Sequence, residues 1–179
     1  MGTYTLPWGD EELSFTLPTD WDVIGYLKPN PVTPVEDVNR AVQNSLDEPI
    51  GMKTMQEMVT SESKVTIVID DISRPTPVHL IMPHVLSRLA DAGVPRTDIT
   101  VVPALGLHRP MSLEEIRQRT GIGDISDDQV ENPACDDIES MAHLGITSRG
   151  TPVYISRTVA EADLVISIGC IEPHIIASF

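Results

Sequence analysis

A chain of 179 residues with 41% apolar content is long enough to enclose a hydrophobic core as one domain, and no stretch reaches the ~18 uninterrupted apolar residues of a membrane-spanning helix. Its formal charge of −15 works against any partner that is itself a polyanion, which excludes nucleic acid on electrostatic grounds. The first eight residues have neither the basic start nor the apolar run of a secretory signal, so a cytoplasmic chain away from membranes is expected.

Residues 4–17 alternate apolar and polar about Gly9-Asp10-Glu11, the pattern of an amino-terminal β-hairpin with its turn at the glycine. The prolines at 29, 31 and 34 exclude regular structure there, since each removes a donor and restrains its predecessor. A helix is expected beyond them, capped by Thr33 with Pro34 in its first turn, running through Val35, Val38, Ala41 and Val42 and ending at Asp47-Glu48-Pro49. Methionines 52, 55 and 58 recur at helical spacing and predict a buried stripe.

Residues 64–69 form a β-branched run of strand type that breaks into Asp70-Asp71-Ile72-Ser73-Arg74-Pro75-Thr76-Pro77. Beyond it, Val78, Ile81, Met82, Val85, Leu86 and Leu89 make one face of a helix that Gly93 can close in a left-handed cap. A second strand at 98–102 breaks at Pro103 into the polar segment Gly106-Leu107-His108-Arg109-Pro110. Ser112 and Glu115 have the spacing of a capping box for the next helix, which ends near Gly121. An acidic, irregular stretch follows. Residues 152–155 then read as a short strand, 156–162 as a brief helix, and 164–168 as another strand, broken by Gly169-Cys170-Ile171-Glu172-Pro173-His174.

Strands alternating with helices imply parallel pairing, because a right-handed crossover needs a connection of helix length. The expected class is α/β: a mostly parallel, open, Rossmann-like sheet with helices packed on it, preceded by the hairpin, all within one domain. Open parallel sheets bind ligands beyond the carboxyl ends of their strands, and three strands here end in loops carrying Asp/Arg, His/Arg and His. Those loops should meet in one cleft.

The first loop offers a carboxylate, a hydroxyl and a guanidinium, and an arginine fork grips carboxylate or phosphate bidentately. The alternative is structural: Asp71 caps a turn and Arg74 is its surface ion-pair partner. In the second loop Arg109 stands beside His108, which would help keep the imidazole neutral and fit to act as a base; a histidine satisfied by backbone is the alternative. The third loop presents His174. Two histidines from separate strand ends suit a reaction that treats both faces of a substrate, with one acid/base on each side.

Other residue groups point away from chemistry. Cys135 and Cys170, far apart and without a CxxC partner, read as reduced and buried or half-buried. His79 and His84 lie on different helix faces and miss the zinc spacing, so both read as surface or packing residues. Gly121-Ile122-Gly123 lacks the third glycine of a dinucleotide fingerprint and reads as a turn. The pairs Asp127-Asp128 and Asp136-Asp137 have no calcium-loop spacing and read as solvated acids.

The three strand-end segments, Asp71 to Pro77, Gly106 to Ser112 and Gly169 to Phe179, resemble in order and spacing the nickel-dependent lactate racemases and related 2-hydroxyacid racemases and epimerases, over roughly residues 60 to 179. The resemblance implies an isomerase of two domains that uses a nickel-pincer nucleotide and passes through a 2-keto acid by hydride transfer. It assigns His108 and His174 as the two acid/bases, Arg74 as the holder of an anionic group such as the substrate carboxylate, and Asp71 and Ser73 as residues that position substrate or cofactor. Leu107 stands where the family often has threonine, and Asn132-Pro133-Ala134 lacks the histidine that commonly follows that asparagine. Relatives continue past the position of Phe179 to a cofactor-attaching lysine and a nickel-ligating histidine. The expectation is therefore an amino-terminal domain that partners the carboxy-terminal remainder of the same protein and a small 2-hydroxyacid, and that alone holds no metal and is inactive. A non-catalytic small-molecule or anion-binding α/β domain is the alternative; a hydrolase or phosphoryl-transfer domain is disfavoured by the lack of a P-loop or Gly-x-Ser-x-Gly elbow.

Overall fold

The computed structural model describes residues 2–27 and 30–173. The chain divides into two compact units, 1–34 and 35–179. In the first, β1 (Thr3–Trp8) and β2 (Glu11–Thr16) form an antiparallel hairpin, with Trp8 opposite Glu11 and the turn made by Gly9 at a φ of 61°. Positive φ is the conformation that glycine adopts without a Cβ penalty. Tyr4 lies between Phe15 and Tyr26, the latter edge-on at 5.5 Å between ring centroids.

The first helix of the second unit is α1 (Val38–Asp47), whose cap falls four residues later than the expected Thr33. Asp37 caps it instead, its carboxylate accepting the Arg40 amide at 3.0 Å. Aspartate is the stronger cap, and position 33 lies within the first unit. The methionine stripe shrinks to a single turn, α2 (Met55–Met58), capped by the Thr54–Glu57 box; Met55 is buried while Met52 is exposed.

From there the α/β reading holds. Strands β3 (Val65–Asp70), β4 (Ile99–Ala104) and β7 (Leu164–Ile168) make one parallel sheet in the order β4-β3-β7, so β3 is central. Val65, Ile67 and Ile69 on one face of β3 are fully buried against α3 (Val78–Asp91), which contributes Val78, Met82, Val85 and Leu89. Burying a side chain of this size is worth about 1.5–3 kcal/mol. Helix α4 (Leu113–Thr120) adds Ile116, carries the Ser112–Glu115 capping box and closes at Gly121 with a φ of 73°.

The acidic stretch holds a strand that the sequence did not reveal. β5 (Met141–Ile146) pairs antiparallel with β6 (Pro152–Ser156) in a separate two-stranded sheet, turning through Gly150, so the 152–155 segment does not join the parallel sheet. A register shift between His143 and Gly145 breaks the alternation that would have marked β5. The short α5 (Arg157–Ala160) then leads to β7. Cys135 and Cys170 are exposed, against expectation, because both fall in loops outside the core elements. Among the described residues no helix is long and apolar enough to cross a membrane.

Candidate functional site

Because β3, β4 and β7 run parallel, their carboxyl ends lie at one edge of the sheet and the loops after them emerge together. Hydrogen bonds tie these loops into one cluster. Asp71, the residue after β3, is only 5% exposed. Its Oδ1 accepts from the Ser73 amide at 2.7 Å and the Ser73 hydroxyl at 2.5 Å, while its Oδ2 meets Nδ1 of His108 from the loop after β4. Burial alone pushes the Asp71 carboxyl up, but the Ser73 hydroxyl, the His108 ring and the Ser73 amide together outweigh it and hold it below the ordinary carboxylate value. An ionised carboxylate can only accept, so this bond places a proton on Nδ1, and in the neutral ring Nε2 is then the free lone pair. The His108 side chain is 56% exposed, and a cavity of about 230 Å³ opens beside it, lined by Asp71, Ile72, Ser73, His108, Arg109 and Met111.

The second loop reaches this position through a turn in which the His108 amide donates to the Leu105 carbonyl at 2.9 Å, with Gly106 at a φ of 56°. Arg109 does not serve His108 as sequence adjacency suggested. Its guanidinium forks onto Glu115 of α4 at 2.5 and 2.9 Å, and with the Ser112 amide it pulls the Glu115 carboxyl down to about 2. Asn132, on the segment beside β4, brackets Met111, its amide donating to the Met111 carbonyl and its oxygen accepting the Met111 amide, both at 2.9 Å.

Arg74 turns away from Asp71. Its amide donates to the Asp71 carbonyl at 3.2 Å, but its guanidinium is ion-paired with Glu172 in the loop after β7. Asp71, Ser73, Arg74 and His108 are thus gathered at one edge with Glu172, while His174, two residues further on, lies outside the described residues. The contacts of Glu172 and Asn132 escaped sequence reasoning, although both residues stand in segments named there, because each acts on a residue distant in the chain. His79 is exposed and His84 bonds Asn39 at 3.0 Å, as packing residues would.

Residues 8–179 match the family described as the lactate racemase N-terminal domain. The lactate racemase of Lactiplantibacillus plantarum is 35% identical over 138 residues, a match covering 77% of this chain and 32% of that protein. That of Thermoanaerobacterium thermosaccharolyticum is 26% identical over 181 residues, covering 100% of this chain and 42% of the relative. The structure of the latter's apoprotein superposes with a TM-score of 0.76 at 25% identity, over 97% of this chain and 40% of that one. A Thermotoga maritima protein shares the fold at a TM-score of 0.55 and 20% identity, over 79% of this chain and 34% of its own. The chain therefore spans between about a third and two-fifths of the curated relatives it matches, and it belongs to the lactate racemase N-terminal domain family.

Proposed function

We propose that this chain is the amino-terminal domain of a 2-hydroxyacid racemase or epimerase of the lactate racemase type, and that His108 is the base that takes the substrate hydroxyl proton. The hydrogen bond between Asp71 and His108 carries this reading. With its proton held on Nδ1 by a buried, ionised carboxylate, the imidazole presents Nε2 to the cavity as acceptor, and positive charge arriving on the ring is stabilised by the same carboxylate. Both Asp71 oxygens are committed to Ser73 and His108, so in this reading Asp71 and Ser73 orient the base. Arg74 binds the substrate carboxylate, exchanging Glu172 for it. His174 is the second acid/base, for the opposite face of the substrate.

The resemblance implies a nickel-pincer nucleotide that supplies the hydride-accepting ring. In this reading His108, Asp71 and Ser73 serve proton transfer and Arg74 serves carboxylate binding. The partner of these 179 residues in the complete enzyme is the remainder of a chain as long as the matched relatives. The decisive measurement is stereoisomer interconversion of lactate and larger 2-hydroxyacids by the cofactor-loaded enzyme of that length. His108→Ala and His174→Ala are each expected to lower turnover by about 10²–10⁴-fold. Racemisation or stoichiometric nickel binding by the 179 residues alone, or an unchanged rate after both replacements, sinks the proposal. Reversible lactate binding without turnover in the loaded enzyme would favour a non-catalytic anion-binding domain.

A further inference from the structure

We infer that Arg119, on α4, is a positioning residue for the Asp71–His108 pair. Its largely buried guanidinium spans the turn that carries Asp71. Nε donates to the Asp70 carbonyl at 3.3 Å, Nη1 to the Arg74 carbonyl at 2.9 Å, and Nη2 pairs with the Asp70 carboxylate. Asp70 immediately precedes Asp71 and Arg74 follows it by three residues, so one planar fork pins both ends of the turn. The second Asp70 oxygen accepts the Thr76 hydroxyl, which ties the far side of the loop to the same carboxylate. Among the described residues no other side chain donates to these two carbonyls, and a lysine, with one ammonium in place of a rigid fork, cannot reach both carbonyls and the carboxylate in one geometry.

The same helix face governs the other half of the pair. Glu115, four residues before Arg119 and hence its neighbour along the helix, grips Arg109 and the Ser112 amide in the loop that carries His108. α4 thus holds the acceptor through Arg119 and the imidazole through Glu115, and their meeting depends on both grips. This inference rests on the proposed role of His108 as base, because positioning matters only if the tautomer does.

The ring nitrogen shifts of His108 test it in the intact 179-residue chain, by ¹⁵N NMR at a pH well above the ordinary imidazole value, where they report which nitrogen carries the proton. The native chain is expected in the Nδ1–H form. Arg119→Lys, which keeps a cation beside Asp70, is expected to preserve the dispersed amide spectrum of the sheet while His108 reverts to the Nε2–H form that free imidazole favours. Asp70→Asn, whose single carbonyl oxygen replaces two carboxylate acceptors, is expected to give the same reversion and decides the matter should the lysine variant fail to fold. A native chain already in the Nε2–H form overturns both the base assignment and this inference. A native Nδ1–H form that persists in a folded variant overturns the positioning role alone.

Discussion

Glu172 occupies the guanidinium of Arg74, so the residue proposed to bind the substrate carboxylate is already bound to a carboxylate of its own chain. Both side chains are about one-third exposed, which makes the pair exchangeable rather than locked. An exposed ion pair is worth up to about 1 kcal/mol, so its removal raises the affinity for a competing carboxylate by up to about fivefold. Glu172→Gln is expected to tighten lactate binding by that factor in an NMR titration of the 179 residues, and Arg74→Ala to abolish it. Weaker binding after Glu172→Gln would mean that the glutamate presents Arg74 to the ligand instead of competing with it.

The depressed Asp71 carboxyl has a consequence for acid stability. A group whose folded value lies below its unfolded one contributes stability that is fully present above the unfolded value, about 3.9, and is lost as pH falls through the folded value. Asp71→Asn removes that contribution. Urea unfolding between pH 6 and the acid limit, on the order of pH 2, should therefore give a shallower loss of stability for the variant. Parallel curves for the two proteins would contradict the shift.

Gly121 is fixed twice over. Its φ is 73°, and a Cβ there would stand 3.2 Å from the His79 Cβ on α3, tighter than ordinary van der Waals contact. The left-handed conformation alone costs a non-glycine residue about 1–2 kcal/mol. Gly121→Ala is expected to lose at least that much in chemical denaturation, through the C-cap of α4 and its seat on α3. Stability within about 0.5 kcal/mol of native, the range of neutral surface substitutions, would show the site to be relaxed.

Asn132 holds Met111, a buried residue at the entry to α4, by both its amide and its carbonyl. Replacing it by alanine leaves a backbone donor and acceptor without partners, at about 1–3 kcal/mol for a buried group. Asn132→Asp sets a charged acceptor against the Met111 carbonyl oxygen, so it should cost at least as much as Asn132→Ala if the bracket is the reason for the residue. The reverse order, read from thermal unfolding of both variants, would point to another role.

Local chemistry was legible in the sequence and long-range chemistry was not. The hairpin turn at Gly9, the β-branched run ending at Asp70, the Ser112–Glu115 box and the Gly121 stop are set by residues a few positions apart, and each stands where its pattern placed it. β5 was hidden because its irregular register spoils the period of two. In the site, chain adjacency suggested Arg109 as the neighbour that tunes His108, whereas the partner is Asp71, 37 residues away. Arg119 carries no motif of its own and Glu172 stands in the third segment with nothing to mark Arg74 as its partner; only the parallel order of β4, β3 and β7 brings the loops they hold to one edge.

For anyone who would transplant this site between relatives, the grip of α4 on both loops defines the unit of exchange. Grafting the 70–77 loop alone would strand a largely buried arginine against a foreign backbone, and grafting the 105–110 loop alone would leave Glu115 to find a new cation. Residues 70 to 120 carry β4, α3, α4, both loops and both grips in one unbroken length of chain. A chimera cut at those two points inherits both grips of α4, and its host must then supply Glu172 for Arg74 and Asn132 for Met111.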